Sequence, residues 1–373
     1  MATPDSTIWP VERHTQAKHE ILRRYLGAWL PILLNRYQRA RIVDGFAGPG
    51  EYEGGQIGSP LIVLQTLLDH PDKGVQTAIR KGTVEIIFIE QDQKRSHHLR
   101  ELLAQQALKT TQLQPSIITG TFTTEMEQLL LKMERQRARK MPVPTFVFID
   151  PFGYSHTPMH IIARIMQQPM CEVLVNFMAE EINRFLAVDY RTKEQHYDLL
   201  FGTDEWRQIA RQAITPAERR RLQHELYQRQ LLDVAGAKYV WPFRMRNRRN
   251  ATDYFLFFCT NSIKGLVEMK RAMWKVDPSG NFEFSDFSNP YQPLLLNELN
   301  DADLQARLIS HFKGQTVTVG EIEHYVHAHT PYLNCKEKGL KPLEQAGKIR
   351  VIDPFSRRNR QSFSDDRLRI TFL

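Results

Sequence analysis

Between residues 15 and 34, apolar side chains recur every fourth position, at Ile21, Tyr25, Trp29 and Leu33, which predicts an amphipathic helix turning one stripe inward. After it, short apolar runs alternate with segments of helical period. RIVDGF (41–46), VEIIFIE (84–90), PSIITG (115–120), TFVFID (145–150) and EVLVNF (172–177) read as strands. Helices are expected from Ser59 to Leu68, with Ser59 as N-cap and Pro60 in the first turn, then over 93–107, around 123–138, over 158–167 and again beyond 177. The strands are hydrophobic throughout, as in a parallel sheet covered on both faces, so the expected fold class is α/β with a doubly wound sheet.

Residues 179 to about 233 are charged and helical, carry Trp206 and several leucines, and show no strand signal; they read as a helical insertion. AKYVWPFRM (237–245) and DYFLFFCT (253–260) flank the basic loop RNRRNAT and should end the sheet as an antiparallel pair. Ser, Asn, Pro and aromatic residues near Ser285–Gln292 mark a linker between a domain of residues 1–288 and one of 295–373. The second domain reads as three helices, the last ending at Gly347, followed by the strands KIRVI and LRITFL around the polar turn RRNRQSFSDD. That is the order of a winged helix-turn-helix.

Composition narrows the class. The 373 residues are 42% hydrophobic and 25% charged, as in a globular chain of about two domains, which excludes disorder, collagen or a coiled coil. Cys171, Cys259 and Cys335 are too far apart for a CxxC motif or a disulfide framework, which excludes a cysteine-bound zinc ribbon and suits a reducing compartment. With no apolar run of roughly 20 residues and no signal-peptide pattern, a cytoplasmic protein without membrane association is expected. Basic residues outnumber acidic ones 50 to 42 and gather at Arg135, Arg137, Arg139 and Lys140, at Arg219, Arg220 and Arg221, and at Arg244, Arg246, Arg248 and Arg249. The last cluster, on the loop between the paired strands, is the expected contact with a nucleic acid backbone.

Candidate chemistry gathers where the parallel strands end, the edge at which open α/β sheets bind ligands. Asp44-Gly45-Phe46-Ala47-Gly48-Pro49-Gly50 follows the first strand, and its glycines let the backbone bend sharply and approach a ligand. An acid ahead of the first glycine repels pyrophosphate and attracts an ammonium, which favours S-adenosylmethionine over a dinucleotide. A nicotinamide cofactor would also need its ribose acid about 20 residues past the glycines. Glu90, ending the second strand with Gln91 beside it, lies about 40 residues beyond Gly50 and can accept both hydroxyls of a ribose. The fourth strand ends in Asp150-Pro151-Phe152-Gly153, whose X-Pro step holds Asp150 extended at the crevice mouth. Asp150 and the Asp150 or Pro151 carbonyl would accept the hydrogens of an exocyclic amine, and Phe152 would stack on its ring, aligning the nitrogen with an electrophilic methyl. A base in a duplex would first have to leave the stack.

Other candidates carry less. His97 and His98 are adjacent, and His324 and His327 have no acid or cysteine at ligand spacing, so no metal site is expected. Asn176 and Asn183, near the fifth strand, suit either the substrate side or a helix cap.

Together, Asp44 to Gly50, Glu90 and Asp150 to Gly153 resemble the class I S-adenosylmethionine-dependent methyltransferases, which are built on a Rossmann-like sheet. More closely, KHEILRRYLGAWLPIL (18–33), DGFAGPGEYEGGQIGSPLIVL (44–64), FIDPFG (148–153) and MKRAMWKVDPSGNFEF (269–284) resemble the three-Cys-motif partner protein (TcmP) family, over nearly the whole chain. The resemblance implies a methyltransferase-like domain, a C-terminal winged helix, and a partner that is a three-cysteine-motif protein resembling radical S-adenosylmethionine enzymes. The DPFG step is also similar to that of tRNA guanine-N2 methyltransferases. Carried over by position, the resemblance makes Asp44, Gly45, Gly48 and Gly50 the cofactor loop, with Phe46 and Ala47 between them, Glu90 the ribose acid, and Asp150, Pro151, Phe152 and Gly153 the catalytic step.

The chain departs from the pattern in three places. Eight residues separate Gly50 from Ser59, which leaves the amides of the helix start at a distance from the cofactor. The step is DPF rather than DPP-aromatic. TGTF (119–122) offers no acid for adenine's amine, leaving the backbone around Gly120 and Thr121 as the expected contact. The expected function is transfer of a methyl group to an exocyclic amine of a base in RNA or DNA, with the winged unit and the Arg244–Arg249 loop holding the backbone. The alternative is a catalytically silent or cofactor-sensing nucleic-acid-binding or assembly partner.

Overall fold

The computed structural model describes residues 6–107, 113–153, 157–188, 193–212, 214–286, 300–352 and 362–373; the expected linker past Asp286 and the RRNRQ part of the expected turn lie outside them. The chain divides into two compact units, residues 1–272 with 283–289, and 273–282 with 290–373.

The first unit is built on an eight-stranded sheet. Its strands are β1 (Ala40–Asp44), β2 (Val84–Glu90), β3 (Ser116–Thr119), β4 (Thr145–Ile149), β5 (Cys171–Phe177), β6 (Tyr239–Arg246), β7 (Thr252–Thr260) and β8 (Glu283–Ser285), in the order β3-β2-β1-β4-β5-β7-β6-β8. β1 to β5 run parallel, and β7 is antiparallel to both β5 and β6, as the apolar runs and the terminal pair predict. β8, paired parallel to β6, has no counterpart in the sequence reading; three residues are too few to show a period. Strand order reverses at β1, between β2 on one side and β4 on the other, so a crevice opens at the carboxyl ends of β1 and β4.

The helices α1 (Arg13–Tyr37), α2 (Ser59–Leu68), α4 (Gln93–Ala107), α5 (Phe122–Ala138) and α6 (Met159–Met166) stand where the periodicity places them; α3 (Lys73–Arg80), capped by the Asp72 side chain, and α11 (Ile263–Val276) are additional. The charged stretch after β5 forms α7 (Ala179–Val188), α8 (Glu194–Phe201), α9 (Trp206–Arg211) and α10 (Pro216–Asp233). On one face of the sheet Val43, Ile87, Val147 and Val173 pack against Phe122, Met126, Ile162 and Ile165 of α5 and α6. On the other, Tyr25 and Trp29 of α1 meet Phe146, and Tyr25 also meets Phe258.

Two local expectations are corrected. Leu33 is only half-buried, and Leu34 is the buried leucine in this turn of the helix. Gly58, not Ser59, is the N-cap of α2; Ser59 and Pro60 are its first two residues, which frees the Ser59 hydroxyl for another partner.

In the second unit, α12 (Asp301–Phe312) is capped by Asn300, and α13 (Val319–His329) by a box in which Thr318 and Glu321 satisfy each other's backbone. A π-turn over Lys336–Leu340 runs into α14 (Lys341–Gln345). β9 (Thr316–Thr318), β10 (Ile349–Ile352) and β11 (Arg369–Phe372) form an antiparallel sheet in the order β10-β11-β9. The expected two-stranded ribbon therefore gains a third strand, again of three residues. Leu304, Leu308, Ile322, Val326, Leu340 and Ile370 form its core.

Candidate functional site

The glycine loop continues β1. The Gly45 amide donates to Phe148 O and the Ala47 amide to Ile89 O, both at 2.9 Å, tying the turn to the ends of β4 and β2. A Cβ at Gly45 would lie 2.6 Å from the Phe122 ring, and Gly48 and Gly50 have φ of 63° and 89°, so three positions exclude other residues by packing or by conformation. The Gly58 amide donates to Gly50 O at 2.7 Å, while Tyr52 N to Gln56 O at 2.7 Å makes the intervening residues a closed excursion. The start of α2 therefore stands directly beside Gly50. The eight-residue insertion leaves and returns at the same point, so it does not carry the start of α2 away from the glycine loop.

Asp44 is 1% exposed. Its Oδ1 accepts from the Phe46 amide at 3.2 Å, and its Oδ2 has no hydrogen-bond partner. Burial drives its pKa up to about 7, against the lowering influence of the nearby Ser59 hydroxyl and the Phe46 amide, with the charges of Asp150 and Glu90 adding to the rise. Such a carboxylate is short of a positive partner.

Glu90 is already engaged. Its Oε2 accepts from the Gly48 amide and its Oε1 from the Asp92 amide, each at 2.8 Å, so it braces the glycine loop while keeping lone pairs for a further donor. Burial raises its pKa despite these bonds. The Gly120 amide donates to Glu90 O at 3.1 Å, and the Thr121 hydroxyl caps α5 by accepting from the Thr124 amide. Those expected contacts with adenine have structural duties. Gln91 is exposed at the strand end.

Asp150, following β4, is held from two sides. The Lys18 ammonium, on α1 and 5% exposed, pairs with its Oδ2, and the Asn176 amide donates to its Oδ1 at 2.8 Å from β5. Asn176 Oδ1 is buried and has no partner. Asp150, Pro151, Phe152 and Asn176 line a cavity of about 140 Å³ whose other walls include Trp9, Tyr52, Tyr254 and His14. His14, 2% exposed, binds Glu12 Oε2 at 2.8 Å and Asp286 Oδ2 at 2.9 Å. Burial disfavours its charge, yet the bonds to Glu12 and Asp286 prevail and raise its pKa. Lys18 and His14 were missed by the sequence reading, since a basic residue in an amphipathic helix reads as solvated, and Trp9 was missed because it stands ahead of the helix in a stretch without a period.

The structure does not leave every basic cluster open. Arg220 pairs with Glu180 and Arg221 with Glu225, and Arg244 and Arg246 share Glu283. Arg248 and Arg249 are exposed at the tip of the β6–β7 loop, and the pKa of Glu12 on the cavity wall is lowered chiefly by its bond to His14, with the charge of Arg248 adding a smaller part. His98 bonds to Glu51, and among the described residues no cluster of metal-ligating side chains forms. No helix among them is long and apolar enough to cross a membrane.

No family model and no curated protein sequence matches the chain. Solved structures that it matches include a protein assigned as a caffeoyl-CoA O-methyltransferase from Staphylococcus aureus, at 11% identity over 68% of this chain and 86% of that one, with a TM-score of 0.34. Another is the geranyl diphosphate C-methyltransferase of Streptomyces coelicolor A3(2), at 10% identity over 68% and 90% of the two chains, TM-score 0.24. A third, assigned as a sarcosine dimethylglycine methyltransferase from Galdieria sulphuraria, shows 11% identity over 64% and 84%, TM-score 0.25.

Proposed function

We propose that the chain is an S-adenosylmethionine-dependent methyltransferase acting on an exocyclic amine of a nucleic acid base, and that it is a cytoplasmic member of the three-Cys-motif partner family. The observation that carries this is the partnerless, buried Oδ2 of Asp44 at the foot of a glycine loop: it suits an ammonium and repels a phosphate. Asp44 would hold the amino group of the cofactor, Gly48 and Gly50 would let its chain lie against the backbone, and Glu90 would take the ribose hydroxyls. When bound, the cofactor supplies an electrophilic methyl on a sulfonium.

The acceptor amine would enter the cavity beside Phe152, with its hydrogens accepted by Asn176 Oδ1, which has no other partner, and by Asp150. Lys18 and the Asn176 amide fix the Asp150 carboxylate, so alignment and exclusion of water do most of the work. Arg248 and Arg249 at the mouth would hold phosphates, and the second unit, which we read as a winged helix, would contact the same nucleic acid.

A second reading, a cofactor-sensing assembly partner of a three-cysteine-motif radical S-adenosylmethionine-like protein, is favoured by one observation. Lys336, Lys338 and Lys341, on the segment that would read DNA or RNA, are paired with Asp366, Asp301 and Glu337. Incubation with methyl-labelled S-adenosylmethionine and mixed RNA and DNA, followed by nucleoside mass spectrometry, separates the two. Asp150→Ala should abolish labelling while cofactor affinity stays within about twofold, because its part is alignment. Undiminished labelling by that variant would remove the catalytic assignment, and tight binding with no labelled nucleoside from the wild type would favour the sensor.

A further inference from the structure

Two rings and a cation meet between the glycine loop and the Asp150 step. Trp9 comes from the segment ahead of α1, where the Glu53 amide donates to its carbonyl at 2.9 Å. Its indole stands edge-on to Phe152, with centroids 5.1 Å apart, and a Cβ at Gly48 would lie 3.9 Å from its Cη2. It therefore spans from the cofactor loop to the acceptor step, where the sulfur of a bound methyl donor belongs. The guanidinium carbon of Arg95, a residue 5% exposed, lies 4.9 Å from the Trp9 centroid and 5.6 Å from that of Phe152. A cation already rests on these rings. Ring faces attract any onium, and most strongly when it is withdrawn from water.

We propose that Trp9 and Phe152 form an onium slot that recognises the sulfonium charge of S-adenosylmethionine, alongside the Arg95 guanidinium that the same rings already hold. The proposal rests on the cofactor reading above. S-adenosylhomocysteine has an uncharged thioether in place of the sulfonium and gains nothing from the slot, so these residues distinguish the donor from its spent form.

Calorimetry on the full chain tests this with the two ligands and needs no methyl acceptor. Trp9→Leu should weaken S-adenosylmethionine by about tenfold and leave S-adenosylhomocysteine within about twofold, the loss expected of one partly desolvated cation–π contact. Trp9→Phe keeps a ring and should retain most of the affinity for the charged ligand; it also serves as the measurement if the leucine variant, checked by circular dichroism, is misfolded. A parallel loss for both ligands, or no loss for either, overturns the slot while leaving the cofactor assignment intact. Failure of the wild type to bind either ligand overturns both.

Discussion

Asp44→Asn removes one charge from the foot of the glycine loop and nothing else of size. In the folded chain burial lifts the carboxyl from its ordinary 3.8 to about 7. An acid whose folded pKa is raised contributes most to stability below its unfolded value, and that contribution is lost as pH rises through the folded value. Over the roughly three units between them, at about 1.4 kcal/mol per unit, the wild type loses about 4 kcal/mol that the amide variant does not lose. The assay is urea unfolding of both proteins at unit steps from about pH 5 to about pH 8, taking the difference in stability so that other titrations cancel. The variant should gain on the wild type by about 1.4 kcal/mol per pH unit up to near pH 7 and level off beyond. Saturating S-adenosylmethionine should remove much of the slope, since an ammonium beside Asp44 keeps it ionised. A difference independent of pH in the free protein would refute the claim that this carboxyl is desolvated and short of a counter-charge.

His14, raised above its ordinary 6.5, stabilises most below that value and progressively less as pH climbs through its folded pKa. The melting-temperature advantage of the wild type over His14→Gln should therefore shrink between about pH 6 and about pH 9, and an advantage that grew would contradict the ion contacts with Glu12 and Asp286. Tyr25→Phe takes a donor from Glu172, a buried acid that also accepts from Thr260 at 2.7 Å, and should cost about 1–3 kcal/mol in denaturant unfolding; a neutral result would mean that water replaces the phenol.

β1, β2, β4 and β5 were legible because each is an apolar run bounded by a turn or a helix, as burial on both faces demands, whereas β3, at the sheet edge, departs from the expected pattern with exposed Ser116 and Thr119 around half-buried Ile117 and Ile118. β8 and β9 were not, since strands of three residues borrow their stability from a neighbour and leave no period of their own. The acids at the strand ends could be named from position alone. Their partners could not: Lys18 reaches Asp150 across 132 residues and Asp286 reaches His14 across 272, and no local pattern predicts such pairings. Asn176 was visible as one of two readings, and only its place beside Asp150 decides between them. The arginine clusters looked alike in sequence, and their difference lies in glutamates supplied from distant elements.

The detour from Glu51 to Ile57 is closed at its base by the Gly58 amide on Gly50 O and carries Tyr52 to the cavity wall. Its two feet are fixed to each other, so it can be lengthened, shortened or exchanged without moving β1 or α2. Tyr52 and the Glu53 amide tie the same detour to Trp9, so under the proposed function exchanging this short cassette would retune acceptor choice and donor grip together while β1 and α2 keep their places.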